Sequence, residues 1–167
     1  MEDGKDMDVY PAKEDQYGSL YQEHFFDQYK ILIESIEKNS DRRQSANNYF
    51  IAINGAFITI LGLTFQIGDT YVRCGARILL GLAGIIASII FWLLIRAYKQ
   101  LATGKFKVLH KIEERLPIAL YKYEWEILDK GKKWSTYFPF SHIEMKFPWF
   151  FATGYLILLV LTIFKLY

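Results

Sequence analysis

The sequence of 167 residues contains one cysteine and three histidines, and these shortages remove whole classes of explanation. A lone Cys74 permits no internal disulfide framework and no cysteine-based metal site within one chain, and a small residue near a membrane edge is its simplest reading. There is no phosphate-binding loop, nucleophile elbow or HExxH zinc motif. His24 and His142 have no partner at a recognisable spacing, and Glu124 and Glu126, two apart on a helix, point to different faces. His110, Glu113 and Glu114 do share a helix face. With Lys107 and Lys111 beside them they read as a solvated, salt-bridged face rather than a metal site. No cofactor, metal or catalytic residue is expected. A formal net charge of +2 offers no field for nucleic acid, and no such partner is expected.

What is abundant is apolar surface. Hydrophobic residues make up 52% and aromatics 17% of the chain, while charge stays at 23%, so the two kinds must be segregated along it. A bilayer core of about 30 Å needs about 20 helical residues. Asn48 to Ile67, Ala76 to Ile95 and Pro148 to Leu166 each meet that length with almost no internal charge. The first lies deep in the chain behind an acidic tail, which is unlike a cleaved signal peptide. The short loop GDTYVRCG makes the first two spans a tight helical hairpin.

Lysine and arginine set the expected orientation. Lys30, Lys38, Arg42 and Arg43 precede the first span, and eleven basic residues lie between Arg96 and Lys146. The hairpin loop and its edge hold only Arg73 and Arg77. The positive-inside rule places the N-terminus and the long connection in the cytoplasm and the C-terminus outside. Trp92, Tyr98 and Trp149 fit an aromatic belt on the cytoplasmic side, and Lys165 can snorkel to the outer interface.

Around the spans, the first 18 residues carry six acids against two lysines and read as a disordered tail. Tyr21, Phe25, Tyr29, Leu32 and Ile36 form an amphipathic stripe with no breaker before Arg43. Leu101, Val108, Leu109, Ile112 and Leu116 form another that stops at Pro117, and LYKYEWEILDKG reads as a shorter helix ended by Gly131. KKWSTYFPFSHIEMKFPW mixes aromatic rings and lysines. It suits the inner headgroup layer and equally the hydrophobic underside of a cytoplasmic domain. Ser141 and Glu144 have capping-box spacing, which starts a short helix before Pro148 leads into the third span. The expected organisation is therefore a tail over 1–18, a cytoplasmic amphipathic helix over 19–45, a transmembrane hairpin over 46–98, a cytoplasmic helical and interfacial region over 99–147, and a third span over 148–167. The fold class is an all-α membrane protein with three transmembrane helices.

The candidate functional residues are small or polar. Ala52, Gly55, Thr59 and Gly62 share a face of the first span, and Gly81, Gly84 and Ser88 share one in the second; such stripes let helices pack closely in lipid. The expected partners are the other of these two spans or a neighbouring subunit. Asn47 and Asn54 lie seven apart, with Gln44 a turn earlier and Asn48 beside them. An amide facing lipid lacks partners, so Asn54 should face protein or water. Helix packing and pore lining both remain open for these residues. Contacts with lipid headgroups are expected at Arg42, Arg43, Lys132, Lys133, Trp134, Lys146 and Trp149.

The set DRRQSANNYFIAING, KFKVLHKIEERLP, EWEIL and PFSHIEMKFPW resembles the RipA-type family of small bacterial octameric membrane proteins, over roughly residues 20 to 165. The resemblance implies a multi-pass protein of the bacterial cytoplasmic membrane that forms a homo-octamer, and it brings no catalytic residue or cofactor. The functional expectation is a non-enzymatic membrane scaffold that organises lipids or a protein partner. The alternatives are a channel lined in part by the first span and, third, a lipid-modifying membrane enzyme gathering His110, Glu113 or His142.

Overall fold

The computed structural model describes residues 9–131 and 141–164, without the side chains of residues 141 and 142. It is helical throughout, with no strand among the described residues: α1 (Glu14–Tyr17), α2 (Tyr21–Leu63), α3 (Thr70–Glu113), α4 (Leu120–Ile127), α5 (Ser141–Glu144) and α6 (Phe147–Phe164). Three of these, α2, α3 and α6, are long and apolar enough to cross a membrane. The first two extend well past the hydrophobic runs, at 43 and 44 residues. Nothing in the sequence stops them: no proline or glycine separates Lys38 from Ile53, so hydropathy changes along α2 while the backbone hydrogen-bond ladder continues.

α3 also starts earlier than hydropathy alone places the second span. The Asp69 carboxylate accepts the Val72 backbone N–H at 3.1 Å, an N-cap that begins the helix inside the sequence expected as loop. On the other side of the turn a short 3₁₀ stretch, Thr64–Gln66, ends α2. Arg73 donates to the Ile67 carbonyl at 3.3 Å, and Arg77 donates to the Thr64 hydroxyl at 2.9 Å while lying over the Phe65 ring at 4.1 Å. Both arginines of the hairpin therefore close the turn.

The contacts divide the chain into two units. One comprises residues up to 40 and those from 100 to 138; the other comprises 41–99 and 139–167. In the first, the expected stripe Tyr21, Phe25, Tyr29, Leu32 and Ile36 is half-buried throughout. The stripe on α3 is shifted from expectation: Leu109 is fully buried, whereas Leu101 and Val108 face outward. α3 ends before Pro117, and α4 is followed by Asp129 and Lys130 in the left-handed region, at φ 52° and 53°. Within the expected disordered tail, residues 1–8 lie outside the described residues. Tyr10 stacks on Phe25, lies beneath the Arg115 guanidinium and donates to the Lys111 carbonyl. Its aromatic surface anchors the segment in a way that counting acids does not register.

In the second unit α2 and α3 pack around Phe50, Phe91 and Ile95, with Leu94 and Met145 against them and the Phe50 and Phe91 rings stacked at 4.8 Å, while α6 packs on α3 through Tyr155 and Leu159. Pro148 sits in the first turn of α6, where a missing N–H costs nothing. Of each helix's most apolar window, only 22%, 28% and 22% is buried by the chain itself in α2, α3 and α6. So much uncovered apolar surface belongs against lipid or neighbouring subunits.

Candidate functional site

The deepest polar group of the second unit is Asn54, fully buried on α2. Its amide nitrogen donates to the Phe50 carbonyl one turn back at 2.8 Å, and its side-chain oxygen accepts the Tyr155 hydroxyl of α6 at 3.0 Å. Both polar atoms of the side chain thus find a partner within one chain, as an amide at this depth requires. The Tyr155 ring packs directly against Gly84 of α3: a Cβ added at Gly84 would stand 2.6 Å from two ring carbons. One turn along, Gly81 receives Leu159 in the same way, with a Cβ meeting its side chain at 2.8 Å. Ser88 is buried and returns its hydroxyl to the Gly84 carbonyl at 2.8 Å. The small stripe of α3 therefore accommodates α6, whereas the sequence pattern predicts the first span or another subunit as its partner.

A second node joins the start of α2's apolar run to α5. Glu144 is buried; its Oε1 accepts the Asn47 amide at 2.9 Å, and its Oε2 pairs with Arg43 Nε at 3.6 Å. The carboxylate was legible only as a local cap for α5. Its partners lie about a hundred residues away, which no local pattern records. Nearby, Trp92 and Trp149 meet edge to face at 5.8 Å, and the Arg96 guanidinium lies 5.3 Å from the Trp92 ring.

The remaining candidates on α2 fall elsewhere. Gln44, Asn48, Ala52, Gly55, Thr59 and Gly62 are all exposed, and they recur at three- and four-residue steps along one face. Among the described residues, nothing beyond the chain neighbours and the helix's own backbone comes within 4 Å of a Cβ built at Gly55 or Gly62, and Thr59 merely returns its hydroxyl to the Gly55 carbonyl at 2.9 Å. The four amides expected on one surface are thus split: Asn47 and Asn54 face inward and Gln44 and Asn48 outward. Of the expected headgroup contacts, Arg42, Lys146 and Trp149 are exposed, Arg43 is held by Glu144, and Lys132, Lys133 and Trp134 lie outside the described residues.

In the first unit, Glu113 departs from the solvated face expected for it. It is buried, and its two oxygens accept the backbone N–H groups of Tyr121 and Lys122 at 2.8 and 2.9 Å, capping the N-terminus of α4. Burial raises the Tyr29 phenol above its ordinary value, and the charges of Glu113 and then Tyr121 add to the rise. Glu114 pairs with Lys111 at 3.2 Å on the exposed side. These carboxylates serve separate structural contacts, and no cluster of three metal-binding side chains occurs among the described residues.

Neither a curated protein nor a solved structure matches the chain. A family match covers residues 26–164, which includes the apolar runs of α2, α3 and α6 and both polar nodes; its description is that of an octameric membrane protein family and indicates no catalytic activity. With three apolar helices, a buried polar lock inside each chain and an unpartnered small-residue face outside it, this multi-pass membrane protein belongs to the octameric membrane protein family, 8xMP.

Proposed function

We propose that this chain forms a homo-octameric, non-enzymatic scaffold of the bacterial cytoplasmic membrane that organises lipids or a protein partner. The outward stripe of α2 is the observation that carries the assembly: Gln44, Asn48, Ala52, Gly55, Thr59 and Gly62 present small and polar groups left exposed among the described residues. Lipid tails give such a face nothing to hydrogen-bond, whereas a second helix gives it close backbone contact and amide partners. A ring closes when the same two faces meet at each step. The N-terminus and the basic segment between α3 and α6 lie in the cytoplasm in this reading, with the C-terminus outside. The uneven distribution of lysine and arginine supports it, since Arg73 and Arg77 are engaged in the hairpin turn. The expected organisation into tail, amphipathic helix, hairpin, interfacial region and third span carries over to it.

Arg42, Arg43, Lys132, Lys133, Trp134, Lys146 and Trp149 form the proposed cytoplasmic contact layer for anionic and aromatic-tolerant headgroups. Asn54 is a packing residue here, held by Tyr155. Replacing Gly55 or Gly62 by leucine should break the octamer into smaller species in detergent, and the purified wild-type protein should retain lipid and conduct no ions in planar bilayers. An octamer that survives both leucine substitutions would remove the α2 stripe as its contact. A second reading is favoured by the same face: Gln44, Asn48 and Thr59 would line an axial channel if the stripe turned toward the ring's centre. Conductance that changes with these residues would establish it in place of the scaffold.

A further inference from the structure

Resting on the lipid-organising reading, we propose that each chain holds one zwitterionic phospholipid with a primary ammonium, of the phosphatidylethanolamine class, in a groove between α2 and α3. The groove is shallow and open along one side, with about 490 Å³ of accessible space, and is walled by Asp41, Arg42, Ser45, Tyr49, Phe50 and Leu94 among others. Its wall changes character along α2. Asp41, Arg42 and Ser45 come first; Tyr49 and Phe50 follow one to two turns later, where the apolar run begins. A phospholipid has the same order, a charged head and then a hydrocarbon body.

The charges specify the head. Asp41 and Arg42 are consecutive, opposite in sign and exposed, and neither side chain makes a hydrogen bond or ion pair with a described residue. Arg43, by contrast, is engaged by Glu144. A phosphate takes the Arg42 guanidinium in charge-assisted hydrogen bonds, and a primary ammonium two carbons away brings three N–H donors to the Asp41 carboxylate. Ser45, a turn further on, adds a hydroxyl to the same wall. A purely anionic headgroup would meet the Asp41 charge without an ammonium to answer it. A trimethylammonium headgroup has the charge but no N–H to donate. The level also fits: Leu94 lies two residues from Trp92 and from Arg96, which stack in the manner of a headgroup belt.

The test is native mass spectrometry of the intact oligomer taken from nanodiscs of equal parts phosphatidylethanolamine, phosphatidylglycerol and phosphatidylcholine. The wild type should retain phosphatidylethanolamine about two- to fivefold over either competitor, the discrimination expected from one exposed ion pair. Asp41→Asn should abolish that preference while leaving total retained lipid nearly unchanged, and Arg42→Gln should reduce retention of all three. Retention in equal proportions by the wild type, or a preference that survives Asp41→Asn, would overturn the site and leave the scaffold reading standing; retention of no lipid at all would overturn the scaffold reading itself. Ser45→Cys, compared with the wild-type background from buried Cys74, addresses a neighbouring subunit as occupant. A maleimide should label it in the delipidated octamer and be blocked by added phosphatidylethanolamine. A cysteine blocked in both states would mean that a second copy fills the groove, and would overturn the proposal.

Discussion

Replacing Gly84 by alanine should destabilise the transmembrane helices, although the same change usually strengthens a helix. In a helix interior alanine is favoured over glycine by about 1 kcal/mol. Gly104, also on α3, has nothing within 4 Å of an added Cβ, so Gly104→Ala should show that gain. At Gly84 the new methyl would stand 2.6 Å from two carbons of the Tyr155 ring and 2.7 Å from a third. A ring cannot yield as a flexible chain end does, and overpacking of this kind costs about 1–3 kcal/mol. The shift also draws the phenol from Asn54, whose hydrogen bond in a bilayer contributes about 0.6 kcal/mol and at most about 1.7. The net expectation is a loss of about 1–2 kcal/mol. Unfolding in mixed micelles, followed by helical circular dichroism, measures it for Gly84→Ala, Tyr155→Leu and the pair. Removing the ring should relieve the clash, giving a coupling of about 1 kcal/mol or more between the two sites. A Gly84→Ala protein as stabilised as Gly104→Ala, or a double mutant additive within about 0.5 kcal/mol, would refute the packing of Tyr155 on Gly84.

Glu144→Ala should lower stability by about 1–3 kcal/mol, because it removes the buried acceptor of the Asn47 amide and the charge that pairs with Arg43; the same micelle unfolding measures it, and Glu144→Gln, which can keep the Asn47 bond, should lose less. Glu113→Ala should uncap α4 and cost about 1–2 kcal/mol, read as faster amide hydrogen exchange at Tyr121 and Lys122. The Tyr29 phenol is raised by burial first and by Glu113 second, so Glu113→Gln should move its titration part of the way back toward the ordinary tyrosine value in an ultraviolet titration. Because its folded-state value is raised, the contribution of Tyr29 to stability is complete below the ordinary tyrosine range near pH 10 and is lost as pH rises through the higher folded value; a melting temperature unaffected by alkali in the wild type, relative to Tyr29→Phe, would contradict this.

Hydropathy made the three spans legible because a run of about 20 apolar residues has few other uses. It could not show that α2 and α3 continue beyond the bilayer region. Helix ends are set by caps and breakers, and the sequence between Ser40 and Asn48 holds no proline or glycine to break the ladder, whereas Asp69 supplies a cap where hydropathy suggests loop. The amphipathic spacing of Tyr21 to Ile36 identified a packed face correctly. On α3 and just beyond it the apolar spacing located the face in part: Leu109, Ile112 and Leu116 turn inward and Leu101 and Val108 do not, while the buried position one turn from Leu109 is the carboxylate of Glu113. Asn54 was recognisable as a residue needing a partner, from the cost of a bare amide in lipid. The partner itself, Tyr155, lies 101 residues along the chain, and no periodicity links them. Likewise, seven-residue spacing placed Asn47 with Asn54 but gave no reason to separate Gln44 and Asn48, which the packing of α3 and α6 leaves on the outer side.

In the proposed assembly the inner polar residues lock each chain while the outer stripe of α2 joins eight of them around retained lipid. Native mass spectrometry of the wild type and of Gly55→Leu, released from the same lipid nanodiscs, tests this in one measurement. The account predicts a wild-type mass of eight chains plus retained phospholipid, and smaller folded species for Gly55→Leu. An eight-chain particle stripped of lipid, or one unchanged by leucine at Gly55, would contradict it.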